Sequence, residues 1–163
     1  MAHLQHMNNL LTRGTRALRI GRFSCPGQVY FITSVCIGRY PIFADALVAD
    51  LAHRCLLDAR TWPDADCLGW VVMPDHIHAL IRLGEKETLS LVVQRMKSLI
   101  STKINRQTGF SQTCWQRGFH DHAVTTNEPI YGFVQYIIEN PLRSGLVLNI
   151  GDYPYLWFHK QFS

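Results

Sequence analysis

The stretch WVVMPDHIHALI, residues 70–81, is the feature that most restricts how this chain can fold. Two apolar runs, ADCLGWVVM and HIHALIRL, are separated only by Pro74 and Asp75. A connection this short makes two strands antiparallel neighbours. Because side chains alternate between the faces of a strand, His76 and His78 point to the same side. They are either ligands of one metal ion or hydrogen-bonded polar groups on a half-exposed sheet face.

Segments before and after this hairpin alternate between strand and helix patterns. GQVYFITSVCI (27–37) is rich in aromatic and β-branched residues, which predicts a strand. Two segments, 45–60 and 88–105, have apolar residues at helical spacing, and Asp45 is a candidate N-cap of the first. The sequence therefore predicts a helix on each side of the hairpin.

Two further elements follow the second helix. CWQRGFHDHAV (114–124) predicts a strand or extended segment. NEPIYGFVQYIIENP predicts a helix that begins at Asn127, has Pro129 in its first turn and ends before Pro141. The order strand, helix, hairpin, helix, strand, helix predicts an α+β domain, an antiparallel sheet with helices packed on one or both faces, as in a ferredoxin-like split βαβ unit.

Composition limits the class of protein. A chain of 163 residues with 47% hydrophobic and 17% charged residues fits one domain with a sizeable core, and excludes a disordered or fibrous protein. Five cysteines without a CxxC motif indicate neither a disulfide framework nor a thiolate zinc site. No secretory signal pattern and no run of about 18 apolar residues is present. We therefore expect a cytoplasmic protein with no membrane segment.

Positive charge is concentrated in two places, although the net charge is only +4. Residues 1–22 lack apolar periodicity and predict a flexible basic arm before a single domain at 23–163. The basic residues of the arm are Arg13, Arg16, Arg19 and Arg22. A second group lies between Arg95 and Arg106. Such clusters suit contacts with phosphates, but solvated faces have the same composition.

The last predicted helix carries two polar residues beside its apolar arc. Tyr136 and Asn140 share one flank, and Tyr131 lies on the opposite flank. In one interpretation Tyr136 is an ordinary residue at the edge of the buried face of the helix, and Asn140 caps the end of the helix. In the other, two imidazoles and an amide oxygen form a mixed site for a divalent ion, and the tyrosine is a nucleophile toward a phosphodiester.

Three blocks, WVVMPDHIHALI, WQRGFHDHAV and YIIENPLRSGLV, occur in an order and spacing that closely resembles the single-tyrosine HUH transposases, most of all the REP-associated tyrosine transposases. The resemblance extends from about residue 27 to about residue 157. It implies the ferredoxin-like HUH endonuclease fold, with His76 and His78 as metal ligands and Tyr136 as nucleophile. Asn140 takes the place of a polar third ligand, where relatives also carry glutamine.

This resemblance also implies an activity and a partner. Members cut single-stranded DNA beside hairpins of repetitive extragenic palindromic (REP) elements and form a 5′-phosphotyrosine, with Mg²⁺ or Mn²⁺ as cofactor. Basic side chains of the arm and of the second helix would contact phosphates, and aromatic side chains would stack on unpaired bases. The expected DNA contacts are Arg16, Arg19, Arg22, Arg95, Lys103, Trp115, Arg117 and Phe119.

Other interpretations stay open at this point. His120 and His122 form a second His-x-His, so four histidines could build a zinc site. A hairpin-binding module with lost or autoinhibited cleavage is another alternative, for instance if DYPYLWFHK (152–160) folds over the cleft. A purely structural or regulatory α+β domain is a third. The sequence favours a monomer, but a dimer that exchanges tyrosine helices fits as well.

Overall fold

The computed structural model describes residues 24–162 and contains one five-stranded antiparallel sheet with three α-helices. The elements are β1 (Val29–Val35), α1 (Ala46–Leu57), β2 (Ala65–Met73), β3 (His76–Leu83), α2 (Leu89–Thr108), β4 (His120–Ala123), α3 (Ile130–Arg143) and β5 (Leu156–Phe158). In the sheet the strands follow the order β4-β1-β3-β2-β5. The α+β class with an antiparallel sheet is therefore confirmed.

The β2–β3 hairpin occupies the middle of the sheet. Its strands begin and end where the sequence predicts, and Met73 lies opposite His76 across the two-residue turn. β1 flanks the other side of β3, with Thr33 opposite His78. Both histidines thus lie on the central strand, with a neighbouring strand on each side to fix their positions.

Helices cover both faces of the sheet. α1 and α2 pack on one face against side chains such as Ile77 and Ile81, and α3 packs alone on the other face against Phe31 and Leu80. The alternation of β3 places Ile77, Ala79 and Ile81 in the core under α1 and α2. His78 therefore lies on the α3 face, where its ring stacks on Phe31 with centroids 5.1 Å apart.

Local signals at the helix ends agree with this arrangement. The Asp45 side chain accepts hydrogen bonds from the backbone N–H groups of Leu47 and Val48, so the predicted N-cap of α1 is confirmed. Thr88 caps α2 through a bond from the Leu91 N–H, and Gly109 ends α2 with a left-handed φ of 71°.

The end of α3 differs from the prediction. α3 does not stop before Pro141 but includes this residue and continues to Arg143. Because proline lacks an N–H, the helix forgoes the hydrogen bond from residue 141 to the Ile137 carbonyl. Pro141 is buried, and its carbonyl accepts from the Leu146 N–H. The helix also begins at Ile130, with Pro129 at the N-cap position instead of Asn127.

The segment 114–124 is a strand only over His120–Ala123. The preceding residues make a single bridge between Cys36 and Trp115 and then pack against α2. No helix among residues 24–162 is long and apolar enough to cross a membrane.

The C-terminal segment contains a strand that the sequence analysis missed. β5 pairs with β2, and the Trp157 ring stacks on Trp70 with centroids 4.5 Å apart. The Tyr153 hydroxyl donates to the Val72 carbonyl at 2.6 Å. DYPYLWFHK therefore forms the edge of the sheet, and the hypothesis that it folds over the cleft is wrong.

Truncating the Trp157 ring tests this structural role. We expect Trp157→Ala to lower the free energy of unfolding by about 2–3 kcal/mol, since a stacked and largely buried indole is lost. Chemical denaturation measures this, with Leu148→Ala as the control, because the Leu148 side chain is 91% exposed and contributes little. Increased DNA cleavage by Trp157→Ala at unchanged stability would instead support a covering role.

Candidate functional site

The two histidines of β3 converge through their Nε2 atoms, which lie 3.0 Å apart. The ring centroids are 4.5 Å apart, with an interplanar angle of 74°. His78 is buried and His76, at the first position of the strand, is largely buried. The strand alternation predicted from the sequence is therefore confirmed.

The other nitrogen of each ring has its own partner. His78 Nδ1 lies 2.8 Å from the Thr33 hydroxyl oxygen, and the Ile32 carbonyl also accepts from this ring. His76 Nδ1 lies 2.6 Å from a carboxylate oxygen of Asp75. When the Nδ1 atoms donate to these partners, the Asp75 carboxylate for His76 and the Thr33 hydroxyl oxygen for His78, both Nε2 atoms present lone pairs. Outer partners of this kind orient metal-ligating histidines.

This arrangement fits a divalent cation. Two lone pairs 3.0 Å apart repel each other unless a proton or a cation lies between them. Burial lowers the pKa of both histidines, that of His78 well below its ordinary value, so both rings are held neutral. Neutral imidazole is the form that ligates metals. His76 and His78 are therefore the residues that could hold a divalent ion.

Tyr136 of α3 faces the same point from the helical layer. Its ring contacts His78 edge-on, with centroids 5.6 Å apart, and Phe31 with centroids 5.7 Å apart. Burial raises the pKa of the Tyr136 hydroxyl, while the positive charge of Arg143 and a hydrogen bond from Asn140 lower it. The Arg143 guanidinium lies 4.9 Å from the centroid of the Tyr136 ring.

These side chains surround a small cavity of about 170 Å³, at the rim of the sheet beside α3. The cavity is lined by Thr33, Val35, Arg39, His76, His78, His120 and Tyr136. Asn140 is buried one helical turn after Tyr136 and bonds to its hydroxyl, but it is not among the lining residues. The structure thus brings together His76, His78, Tyr136 and Asn140.

The second histidine pair does not join the first pair in a zinc site. His122 Nε2 lies 3.0 Å from both carboxylate oxygens of Glu128, and its ring stacks on Phe133. His120 lines the cavity from β4, opposite Thr33. Among residues 24–162, no group of three or more His, Cys, Asp or Glu side chains is placed to hold a metal ion. The alternative of a four-histidine site is therefore wrong.

The predicted DNA contacts have different outcomes. Trp115 and Phe119 are only 5% and 8% exposed, so they cannot stack on bases and this prediction is wrong. The Trp115 indole donates to the Lys97 carbonyl, which explains its burial. Arg95 forms an ion pair with Glu87, so its guanidinium is already engaged.

Other predicted contacts remain accessible or fall outside the description. Lys103 and Arg117 are exposed. Arg16, Arg19 and Arg22, and the arm over residues 1–22, lie outside the described residues.

Sequence analysis missed several residues of the site. Asp75 precedes His76 directly, and a carboxylate beside a candidate ligand was a usable signal. Thr33 reaches the site only through strand pairing, and Arg39 only through a turn. Arg143 reaches it only because α3 continues past Pro141. No local pattern in the sequence indicates those three positions.

Comparison with known proteins places this geometry in a family. The family model of the IS200-like transposases matches residues 26–140, which is more than half of the chain. The chain belongs to the IS200-like transposases. The match includes His76, His78, Tyr136 and Asn140.

Relatives of this transposase carry a more specific name. The REP-associated tyrosine transposase of Escherichia coli K12 is 30% identical over 144 residues, 85% of this chain and 81% of the relative. A similarly named protein of Haemophilus influenzae is 24% identical over 144 residues, 82% of this chain and 81% of that protein.

A solved structure, that of a REP-associated tyrosine transposase bound to a REP hairpin, has a TM-score of 0.69 and 25% identity to this chain. The likeness covers 87% of this chain and 83% of that chain. The resemblance seen in the three sequence blocks is confirmed.

Loss of an outer hydrogen bond tests the histidine pair. We expect Thr33→Val to weaken Mn²⁺ binding by about 10- to 100-fold, because the His78 ring loses the hydroxyl that orients it. Titration calorimetry on the purified protein measures this without DNA. Ser34→Ala is a matched control, since the neighbouring Ser34 hydroxyl is buried with no hydrogen-bond partner. Equal Mn²⁺ affinity of the Thr33→Val variant and the wild type would contradict the assignment.

Proposed function

We propose that this transposase is a divalent metal-dependent single-stranded DNA endonuclease and strand transferase that acts at REP-type hairpins. The observation that carries the proposal is the position of Tyr136, whose ring faces the paired histidines across the interface of α3 and the sheet. A tyrosine and two neutral imidazoles at one small cavity suit nucleophilic attack on a phosphodiester.

In the proposed reaction the Tyr136 hydroxyl oxygen attacks the phosphorus atom and loses its proton to solvent. The bond from phosphorus to the 3′ oxygen breaks, and that oxygen takes a proton from solvent to become a free 3′-OH. The product is a 5′-phosphotyrosine ester. Because this ester keeps the energy of the original phosphodiester bond, a second 3′-OH can reverse the reaction and rejoin DNA.

Side chains around Tyr136 favour the anionic form that attacks. Burial opposes ionisation of the phenol, whereas Asn140 donates a hydrogen bond to its oxygen and Arg143 supplies positive charge. The Arg143 guanidinium lies against the Tyr136 ring, so its charge acts at short range. We infer that Asn140 and Arg143 together offset part of the desolvation cost.

His76 and His78 would hold the metal ion through Nε2, with Mg²⁺ or Mn²⁺ as the expected cofactor. Asn140 would supply the third ligand only after its amide turns from Tyr136 toward the cavity. When bound, the ion supplies Lewis-acid stabilisation of charge on a non-bridging phosphate oxygen. Asp75 and Thr33 hold the two rings in the ligating orientation.

Hairpin DNA is the substrate that the relatives favour, since one solved relative is bound to a REP hairpin. Of the DNA contacts predicted from the sequence, Lys103 and Arg117 remain exposed within residues 24–162, and Arg16, Arg19 and Arg22 of the arm are further candidates. The Tyr136 ring packs against His78 of its own chain, which supports activity as a monomer. We place this activity in the cytoplasm.

Covalent capture of DNA tests the nucleophile. We expect wild-type protein to form a denaturation-resistant adduct with an end-labelled REP hairpin in Mg²⁺ or Mn²⁺, and Tyr136→Phe to form none. The variant should lose only about 1 kcal/mol of stability, because one hydroxyl and its bond to Asn140 are removed. Denaturing gels and a thermal melt measure both quantities.

Tyr131→Phe is the matched control, since this residue belongs to the same helix and its side chain is 61% exposed. It should keep the adduct. Tight hairpin binding by wild type without any adduct would favour a binding module instead, and an adduct in Tyr136→Phe would exclude Tyr136 as nucleophile.

Salt dependence tests the exposed basic residues. We expect Lys103→Gln and Arg117→Gln each to reduce the slope of log affinity against log salt by about 0.7–0.9, the value for one lost phosphate contact. Fluorescence anisotropy over a salt series measures the slope. Arg60→Gln is a suitable control, because its guanidinium is already paired with Asp58. An unchanged slope for either variant would remove that residue from the DNA interface.

A further inference from the structure

Arg39 lines the cavity from a turn, and the proposed reaction gives this residue no role. The turn follows β1, and the Arg39 side chain lines the cavity together with His76, His78 and Tyr136. Arg39 Nη1 lies 3.0 Å from one carboxylate oxygen of Asp75. The other oxygen of the same carboxylate lies 2.6 Å from His76 Nδ1. One carboxylate therefore links an arginine to the histidine pair.

The backbone of Arg39 is unusual. Its φ is 55°, the only positive value of a non-glycine residue in the described part of the chain, and it follows Gly38 with a φ of 60°. A left-handed φ is unfavourable for arginine, whereas glycine adopts it readily. Hydrogen bonds from the N–H of Arg39 to the Cys36 carbonyl and from Tyr40 to Ile37 already close the turn. Both bonds use backbone atoms only, so a glycine at position 39 would keep them.

The guanidinium has donors to spare for an anion. Its side chain is 64% exposed, and the ion pair with Asp75 involves Nη1. A guanidinium carries five N–H donors, whose planar arrangement matches the oxygens of a phosphate. Asp75 engages Nη1, and the Arg39 side chain lines the cavity where the proposed substrate would enter.

A second arginine supports an anionic occupant. Arg39 reaches the cavity from the turn after β1, and Arg143 lies against Tyr136 from the end of α3. The Arg143 guanidinium lies 4.9 Å from the centroid of the Tyr136 ring, which in turn contacts His78, so the two arginines flank the same cavity. Charge of this kind at a small cavity attracts phosphate oxygens.

We propose that Arg39 binds the scissile phosphate directly, by donating to a non-bridging oxygen while Asp75 holds the guanidinium in place. The proposal rests on the proposed function, because it names the residue that positions the phosphodiester in front of Tyr136. Arg39 has a different role from Thr33, which acts only through the His78 ring.

The test measures binding in EDTA, so that neither metal nor cleavage enters the result. The probes are hairpin oligonucleotides from the host's own repeats, each with one neutral methylphosphonate linkage in the single-stranded flank. For wild type, neutralising one particular linkage should lower the affinity for the hairpin by about tenfold, since the guanidinium loses its charged partner. For Arg39→Gly, affinity should already be lower by a similar factor, and neutralising that linkage should change nothing more.

Two further measurements separate phosphate binding from a structural role. Because glycine suits the left-handed φ, Arg39→Gly should melt at the same temperature as wild type or higher, and its Mn²⁺ affinity should stay within about threefold. Arg54→Gln is the matched control: Arg54 is paired with Asp50 on α1, on the opposite face of the sheet, and the variant should keep the full effect of the linkage.

Each outcome decides the proposal. No sensitive linkage in wild type, or equal sensitivity in Arg39→Gly, overturns it. A lower melting temperature or a parallel loss of Mn²⁺ affinity also overturns it, because Arg39 would then act as a support for Asp75. Absence of a covalent adduct with wild type would refute the proposed function, whereas the binding result in EDTA would still assign or reject Arg39.

Discussion

The pairing of β3 between β1 and β2 is the constraint on which the site depends. A two-residue turn at Pro74 and Asp75 fixes the register with β2, and β1 then places Thr33 opposite His78. A shift of one residue in β3 would turn both imidazoles toward α1 and α2, away from Tyr136. The pairing of the strands thus determines the geometry of the histidine pair without a contribution from any helix.

The polar side chains His78 and Tyr136 lie at the edge of the apolar interface between α3 and the sheet. Burial between α3 and the sheet keeps His78 neutral and makes Tyr136 harder to ionise. The first effect favours metal binding, and the second opposes attack on phosphate. Asn140 and Arg143, on the helical turns after the tyrosine, act against the second effect without charging the histidines. In the proposed reaction, one desolvated environment would therefore serve a ligand pair and a nucleophile with opposite requirements.

The sequence predicted the parts of this protein that arise from local patterns. Alternation and a short turn sufficed for His76 and His78, and helical periodicity placed Tyr136 beside Asn140 on α3. It failed where tertiary contacts override local signals. α3 continues through the buried Pro141 to Arg143, and β5 is only three residues long, too short for a recognisable alternation. Trp115 is an aromatic residue of the kind that stacks on bases, but its indole N–H donates to the Lys97 carbonyl in the core.

The two faces of the sheet differ in the side chains that they could present to DNA. Under α1 and α2 the core is continuous and takes in both Trp115 and Phe119, so aromatic residues there stabilise the fold. Under α3 a single helix covers the sheet, and the rim beside β1 stays open as a cavity lined by histidine, tyrosine and arginine. The paired histidines line this cavity, so the rim is where the proposed substrate strand would meet them. The turn that carries Arg39 forms part of the rim, so the residue that adopts a strained backbone there is also among the first that an incoming phosphate would meet.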